Sequence, residues 1–206
     1  MLSELNSGVS FIAVFSQNLE LAKTDAGIDA AYRFADTYAG YHAQPEMAPG
    51  AWLALRGQGD FFPGDYTFLM KRWPNDASTE VTRIGPATQP FGAWARSLPA
   101  GQGMYFDVHD KFFPANAAGT IAVSIRVVYL DSGRSSWEVR YDAGNAEKRA
   151  GAVTNTDSGV WKEISVTVKD GGFGGHAPHG SDLAIYNTGG ENAVFHMIEL
   201  QHSDRQ

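Results

Sequence analysis

Two histidines and an aspartate are spaced so that they could share a metal ion. His176 and His179 lie in the glycine-rich segment of residues 171–180, and Asp182 follows three residues after His179. Imidazole nitrogens and a carboxylate are ligands that zinc and other transition metals accept. Because a loop fixes little geometry, the His-x-x-His-x-x-Asp spacing also fits a polar loop beside a binding face. We expect the polar loop and keep the metal site as the alternative.

Carboxylates recur where strands are predicted to end, and these positions suit calcium. Asp107, Asp110, Asp131 and Asp142 are predicted to lie at strand ends or in turns. Oxygen-rich turns bind calcium readily, although no loop here has the spacing of an EF-hand. The competing interpretation is that each aspartate accepts hydrogen bonds from its own turn. Asp107 and Asp110 flank His109, which makes them the second candidate metal cluster.

The composition excludes several classes of function. The chain has 206 residues and a formal net charge of -7, and its Lys and Arg residues are scattered rather than clustered. Nucleic acids and acidic membrane surfaces select basic faces, so we expect neither as a partner. The absence of cysteine excludes disulfides and cysteine-ligated zinc. Residues 9–15 form an apolar run that is too short for a signal peptide or a membrane span.

From residue 51 onward the sequence alternates in short segments divided by Gly, Pro, Asp and Asn. In residues 120–130 apolar residues recur at every second position, which buries one face of a strand and leaves the other in water. The repeated pattern predicts an all-β fold, a two-sheet antiparallel β-sandwich of the jelly-roll type over residues 51–206. The predicted strands are residues 51–56, 65–71, 80–84, 92–97, 103–108, 120–130, 136–141, 160–168, 182–187 and 193–200.

Residues 1–50 follow a different pattern. Residues 11–15 predict a buried strand, and residues 24–38 predict a helix that Thr24 or Asp25 caps. A strand followed by one helix cannot close a domain. We therefore expect a strand–helix extension that is the tail of an upstream barrel domain, with packing on the sandwich as the alternative. The apolar stripe of the helix also leaves a homodimer open.

Several short sequence segments occur in an order that resembles a known class of domain. They are Trp94-Ala-Arg96, residues 104–108, residues 127–133 followed by Trp137 and Tyr141-Asp142, and residues 159–162, 181–186 and 195–200. This order resembles the jelly-roll accessory domains, similar to carbohydrate-binding modules, of bacterial glycoside hydrolases. The resemblance implies a sandwich that binds a poly- or oligosaccharide, often with a structural calcium. It also implies a secreted or periplasmic location if the chain belongs to a larger exported enzyme.

Exposed aromatic rings with polar neighbours are the predicted ligand contacts. Sugar rings have apolar C–H faces that stack on a flat aromatic ring, and nearby polar groups bind the hydroxyls. Trp52 and Trp161 are predicted to pack in the core, as most aromatic residues do. Trp73 lies near a predicted loop, whereas Trp94 and Trp137 alternate with charged residues on short strands. The predicted ligand-binding residues are Trp73, Trp94, Arg96, Trp137, Arg140 and Tyr141.

A catalytic function would need two acids, or an acid with His or Tyr, in one cleft. Glu138 and Asp142 are the candidate pair, with Glu199 as a further acid, but their spacing does not show that they converge. The sequence also has no Gly-x-Ser-x-Gly nucleophile elbow. We therefore predict a non-catalytic carbohydrate-binding module that needs no cofactor. A structural accessory domain is the second interpretation, and a small carbohydrate-active or metal-dependent hydrolase is the third.

Overall fold

The computed structural model describes residues 16–55, 64–82, 84–85, 94–113 and 121–203. Within these ranges the chain forms helices α1 (Ser16–Thr24) and α2 (Ala26–Tyr38) and twelve strands. The strands are β1 (Gly50–Ala54), β2 (Tyr66–Phe68), β3 (Met70–Arg72), β4 (Thr79–Thr82), β5 (Trp94–Leu98), β6 (Gly103–Val108), β7 (Ile121–Leu130), β8 (Ser136–Asp142), β9 (Glu147–Thr154), β10 (Trp161–Gly171), β11 (Leu183–Asn187) and β12 (Ala193–His202). The predicted buried strand at residues 11–15 lies outside the described residues.

The strands form two antiparallel sheets, which confirms the predicted all-β, two-sheet sandwich. The larger sheet has seven strands in the order β10-β7-β12-β1-β2, with β5 beside β12 and β4 beside β5. The smaller sheet has five strands in the order β3-β6-β11-β8-β9. Neither helix in the described part of the chain is long and apolar enough to cross a membrane.

The alternation predicted for residues 120–130 is confirmed in β7. Ile121, Val123, Ile125, Val127 and Tyr129 are buried, while the first intervening side chains are partly exposed. The core lies between the two sheets, where Trp137 of β8 contacts Tyr129 and Phe195 of the larger sheet edge-on, at ring-centroid distances of 4.9 and 5.0 Å. Burial of each large apolar side chain contributes about 2–3 kcal/mol, so these rings help to hold the sheets together.

Residues 65–71, predicted as one strand, form two strands that belong to different sheets. Leu69 has φ 55°, a left-handed conformation that costs a non-glycine residue about 1–2 kcal/mol. Its side chain is 7% exposed, so burial offsets that cost. The corner takes the chain from β2, which pairs with β1, to β3, which pairs with β6. As a result Trp73, the residue after β3, lies at the edge of the five-stranded sheet.

Helix α2 packs on the larger sheet. The carboxylate of Asp25 caps its first turn by accepting hydrogen bonds from the N–H groups of Gly27 and Ile28. Tyr38 packs against the rings of Trp52 and Phe68, and its hydroxyl donates a hydrogen bond to the buried carboxylate of Glu199. The helix therefore shares an apolar cluster with the sandwich. The origin of residues 1–50 in an upstream barrel stays a prediction.

Candidate functional site

A row of aromatic side chains crosses the outer face of the five-stranded sheet. Trp73 is 37% exposed, and its amide donates a hydrogen bond to the carbonyl of Tyr105 on β6. The ring of His179 stacks on the Trp73 indole, with 4.9 Å between centroids and 13° between planes. The same imidazole meets the ring of Tyr105 at 4.7 Å in an edge-to-face arrangement. These contacts join three rings from separate parts of the sequence into one surface.

The row continues from Tyr105 to the next strands. Tyr186 of β11 meets Tyr105 edge-to-face at 5.7 Å, and the Arg140 guanidinium of β8 lies 4.9 Å from the centre of the Tyr186 ring. Gly103 makes this packing possible, because a Cβ there would lie 2.7 Å from the Tyr105 hydroxyl and 3.1 Å from Cδ1 of Tyr186. We call Trp73, His179, Tyr105 and Tyr186 the aromatic strip. Arg140 lies at its far end.

A small cavity opens at the Trp73 end of the aromatic strip. Its volume is about 230 Å³, and its walls include Trp73, Tyr105 and His179. Lys71 and Asp107, which are paired across β3 and β6, also line it. The cavity is smaller than the pockets that enclose drug-sized ligands. It suits a single ring with polar substituents.

Ion pairs surround the other end of the strip. Arg140 donates hydrogen bonds to Glu138 at 2.5 Å and to Glu147 at 3.1 Å. The hydroxyl of Tyr186 also donates to Glu147, at 3.0 Å, and Arg149 lies 3.7 Å from Glu138. Burial, with the charge of Glu147, raises the pKa of Tyr186 above its ordinary value, which keeps the phenol protonated. The polar groups beside the aromatic rings are therefore held in place before any ligand arrives.

Two buried aspartates hold the loop that carries His179. Burial raises the pKa of Asp142, but hydrogen bonds from the N–H groups of His176, Gly174 and Gly144 outweigh burial and lower that pKa below its usual value. Burial raises the pKa of Asp182 to about 6, although its carboxylate accepts hydrogen bonds from two backbone N–H groups. Both carboxylates thus bind backbone donors of the protein itself.

The structure brings two of the six predicted ligand-binding residues to this face. Trp73 belongs to the aromatic strip and Arg140 ends it. The prediction for Trp137 is wrong, because its ring is 0% exposed. In β8 the side chains of Trp137 and Val139 are buried in the core, while Arg140 is partly exposed.

The other predicted binding residues lie elsewhere. Tyr141 is buried, and its hydroxyl donates to Asp170. Arg96 is on β5 of the larger sheet and binds the hydroxyl and carbonyl oxygens of Ser78. The Trp94 side chain lies outside the described part of the structure, although its backbone belongs to β5.

The alternative metal site of His176, His179 and Asp182 is not assembled. His176 Nδ1 lies 3.0 Å from the carboxylate of Asp142, His179 stacks on Trp73, and Asp182 binds backbone N–H groups. Over the ranges that the structure describes, no three His, Asp or Glu side chains, including Asp107 and Asp110, are arranged to hold a metal ion. Protein donors occupy the carboxylate oxygens of Asp131 and Asp142, and Asp142 accepts one of these bonds from its own turn, from the N–H of Gly144.

The candidate catalytic acids also have separate partners. Glu138 binds Arg140 and Arg149 beside the strip, and Asp142 binds the glycine-rich loop. Glu199 binds Tyr38 and Arg126 beneath helix α2. They do not face one cleft, so the predicted acid pair is not assembled.

Three residues of this face were not predicted from the sequence: Tyr105, Tyr186 and Glu147. A signal for Tyr105 is present in β6, where Met104, Phe106 and Val108 are buried and the residues between them point outward. The same alternation in β11 puts Tyr186 outward. Glu147 begins the edge strand β9, whose largely polar sequence gives little signal for a strand.

No family model and no curated protein matches this sequence. Among solved structures, the chain is similar to the CBM22-1 and GH10 modules of Clostridium thermocellum endo-1,4-β-D-xylanase 10B complexed with xylohexaose (15% identity, TM-score 0.42), with 66% of this chain and 26% of that chain covered. The chain thus spans about a quarter of the length of that xylanase chain.

Two further similarities have comparable scores. One is to the carbohydrate-binding module of Cellvibrio mixtus lichenase 5A in complex with cellotriose, with 15% identity, a TM-score of 0.39, and 63% of this chain and 91% of that chain covered. The other is to the K1 cleaved adhesin domain of Lys-gingipain from Porphyromonas gingivalis W83, with 10% identity, a TM-score of 0.40, and 74% and 95% covered. Because the TM-scores are low, we derive the function from this chain's own residues.

Proposed function

We propose that this chain is a non-catalytic module that binds a neutral oligo- or polysaccharide along the aromatic strip. The observation that carries the proposal is the exposed Trp73 ring, which continues through His179 and Tyr105 to Tyr186. Aromatic faces attract the weakly positive C–H groups that a sugar ring presents. A row of such rings on a rigid sheet suits a chain of sugars better than a single small molecule.

The dimensions of the strip support an extended ligand. It crosses from β3 through β6 and β11 to β8, which are adjacent strands of the five-stranded sheet. Neighbouring strands are about 4.8 Å apart, so the strip is about 14 Å long. That length suits a short run of linked sugars, with one ring in the cavity beside Trp73.

Polar side chains beside the strip supply partners for sugar hydroxyls. Arg140 and Glu147 lie at one end, and Lys71 and Asp107 lie at the other. Because ion pairs or neighbouring strands hold these groups, little side-chain freedom is lost when a ligand binds. Donors and acceptors are both present, which matches a hydroxyl that can act as either.

The charges on this face favour a neutral sugar over an acidic one. Arg140 is bound to two carboxylates, Arg149 is beside Glu138, and Lys71 is paired across the strands with Asp107. A uronate or sulfate would have to compete with Glu138 and Glu147 for Arg140 and with Glu138 for Arg149. The net charge of -7 also repels an anionic polymer.

Affinity electrophoresis tests the proposal with xylan, mannan and mixed-linkage β-glucan as neutral polymers and polygalacturonate and alginate as acidic ones. We expect at least one neutral polymer to retard the folded protein, with no release of reducing ends from the same sample. Absence of retardation in every neutral gel would contradict the binding function. Release of reducing ends would contradict the non-catalytic assignment.

We further propose that the chain is part of a bacterial polysaccharide-degrading enzyme, which the sequence resemblance supports. The same resemblance is the basis for a structural calcium. Metal analysis of the purified protein checks the calcium, and sedimentation checks the homodimer that the helix pattern left open.

A further inference from the structure

The loop of residues 172–182 carries His179 to the aromatic strip. It connects β10 to β11 and contains the short 3₁₀ turn Pro178–Gly180. His179 lies within this turn, so its ring position depends on the path of the whole loop. In the described part of the chain, ring contacts to Trp73 and Tyr105 attach the imidazole to the sheet.

Asp142 holds the first half of the loop. Its Oδ2 atom accepts hydrogen bonds from the N–H groups of Gly174 at 2.8 Å and His176 at 3.0 Å, and it lies 3.0 Å from His176 Nδ1. Its Oδ1 atom accepts a hydrogen bond from the N–H of Gly144 at 2.7 Å. The Asp142 side chain is 0% exposed, so water does not replace these bonds. The loop therefore depends on one carboxylate at the end of β8.

Asp182 holds the other half. Its Oδ1 atom accepts a hydrogen bond from the N–H of Gly175, and its Oδ2 atom accepts one from Val108 on β6, both at 2.9 Å. Asp182 is 2% exposed. Its carbonyl also accepts a hydrogen bond from the N–H of Asp142 at 2.8 Å. The two aspartates thus connect the loop to β6 and β8 and to each other.

The backbone of the loop is strained where it is held. Phe173 has φ 43° and His179 has φ 63°, which are left-handed conformations that side chains rarely adopt. Residues with such strained backbones persist where their surroundings fix them. Phe173 is anchored by its ring, which stacks on Phe113 with centroids 4.6 Å apart. The turn that carries His179 is closed by backbone hydrogen bonds between Ala177 and Ser181 and by the bond from the Ser181 hydroxyl to the Pro178 carbonyl. The segment just before this turn is attached to the carboxylates of Asp142 and Asp182 through the N–H groups of His176 and Gly175.

We propose that Asp142 and Asp182 are positioning residues that set the glycan affinity of the aromatic strip by holding His179 against Trp73. Neither carboxylate needs to touch the sugar. Loss of their hydrogen bonds frees the loop, separates the two rings and removes one wall of the cavity. This inference rests on the proposed glycan binding, although the ring geometry itself is measurable without a ligand.

Asp142→Ala tests the inference, with Asp142→Asn as the conservative partner. The alanine variant removes every side-chain acceptor, whereas the asparagine oxygen can still accept the hydrogen bonds of Gly174 and His176. The first readout is the NMR shift of the His179 ring protons, with Trp73→Ala as the unstacked reference. The second is the Kd for xylohexaose, or for the neutral oligosaccharide that the wild type binds most tightly.

We expect Asp142→Ala to move the His179 signals to their unstacked positions and to weaken binding about tenfold. Asp142→Asn should keep the stacked shift and stay near the wild-type Kd. The inference is overturned if Asp142→Ala keeps the stacked shift, or if it loses the stack and binds as tightly as the wild type. If the wild type binds no glycan, the proposed function fails, and the His179 shift alone still decides whether Asp142 positions the ring.

Two further variants separate positioning from general stability. Asp131→Ala removes a different buried carboxylate, one that binds Thr156, Ser158 and Lys162. It should lower the melting temperature and leave the His179 signals unchanged. A shift of those signals like that in Asp142→Ala would overturn the specific role of Asp142 and Asp182 in positioning His179. If Asp142→Ala does not fold, Asp182→Ala takes its place, because the N–H groups of Gly175 and Val108 then both lose their side-chain acceptor. Unchanged His179 signals and Kd in that variant would overturn the inference.

Discussion

The imidazole of His179 lies almost parallel to the indole of Trp73, with 4.9 Å between ring centroids and 13° between ring planes. One ring follows β3 and the other belongs to the 3₁₀ turn before β11, so the fold brings together residues far apart in sequence. The stack forms one wall of the cavity at the end of the aromatic strip. Rings that are already in place lose little freedom on binding, which favours affinity.

Trp73→Ala should weaken glycan binding without unfolding the protein. The indole is partly exposed, and the backbone hydrogen bond from residue 73 to Tyr105 does not need the ring. We expect a loss of about 1–2 kcal/mol of binding free energy, roughly five- to thirtyfold in Kd, measured by isothermal titration calorimetry. Unaltered affinity in the folded variant would remove Trp73 from the site.

Gly103→Ala should displace the Tyr105 and Tyr186 rings of the aromatic strip. The added Cβ would meet the Tyr105 hydroxyl at 2.7 Å and the Tyr186 ring at 3.1 Å, so both rings must move. We expect weaker binding by several fold, measured by the same calorimetry. Gly190→Ala is the matched control, because nothing lies within 4 Å of the added carbon there. Equal Kd values for the two variants would argue against a ligand on Tyr105 and Tyr186.

Tyr38→Phe should lower the free energy of unfolding. It removes the hydroxyl that donates to the buried carboxylate of Glu199, which Arg126 and Gln201 then satisfy alone. A hydrogen bond to a charged group contributes about 1.5–3 kcal/mol, and urea unfolding measures the loss. Tyr32→Phe on the same helix is the control and should be near neutral. Wild-type stability of Tyr38→Phe would show that helix α2 is not held by this network.

Stability should rise as the pH falls from 7 to 5. The pKa of Asp182 is raised by burial to about 6, above the value of roughly 3.9 for an unfolded aspartate. Its contribution to stability is therefore full below about pH 4 and is lost as the pH rises through 6, an effect of up to roughly 3 kcal/mol. Urea unfolding at a series of pH values measures the slope. Asp182→Asn should flatten it, and an unchanged slope in that variant would assign the effect to another group.

Asp131 and Asp142 act in the opposite direction at lower pH. Although burial raises the pKa of Asp131, hydrogen bonds from Lys162, Ser158 and Thr156 outweigh burial and lower it; the pKa of Asp142 is also lowered. Their contributions are present above about pH 4 and are lost as the pH falls further. Together with Asp182, they predict maximal stability near pH 4.

The sandwich was predictable because alternation is a local signal. β6 and β7 were found within one residue of their bounds, since each buries one face against the core. β9 was missed because the side chains of this edge strand are only partly buried or exposed. The strand therefore has no apolar face whose alternation would predict it. The corner at Leu69 was missed because a left-handed leucine has no sequence signature.

The site was less predictable because it depends on pairs that are distant in sequence. Trp73 was found as an exposed ring near a loop, but nothing in the sequence pairs it with His179, which was expected in a polar loop beside a binding face. Trp137 was misassigned because β8 carries charged residues next to an apolar one, and only the register with β11 decides which side faces inward. Tertiary packing, rather than local composition, decides these positions.

Chemical-shift mapping of a neutral oligosaccharide titration tests the central claim most directly. With a ¹⁵N-labelled protein and xylohexaose, or another neutral oligosaccharide that retards it, we predict the largest changes at the Trp73 indole N–H and at the amides of Tyr105, His179 and Tyr186. Signals of Arg96 and Ser78 on the larger sheet should stay in place. Saturable changes confined to the larger sheet, or none for any neutral sugar, would contradict binding at the aromatic strip.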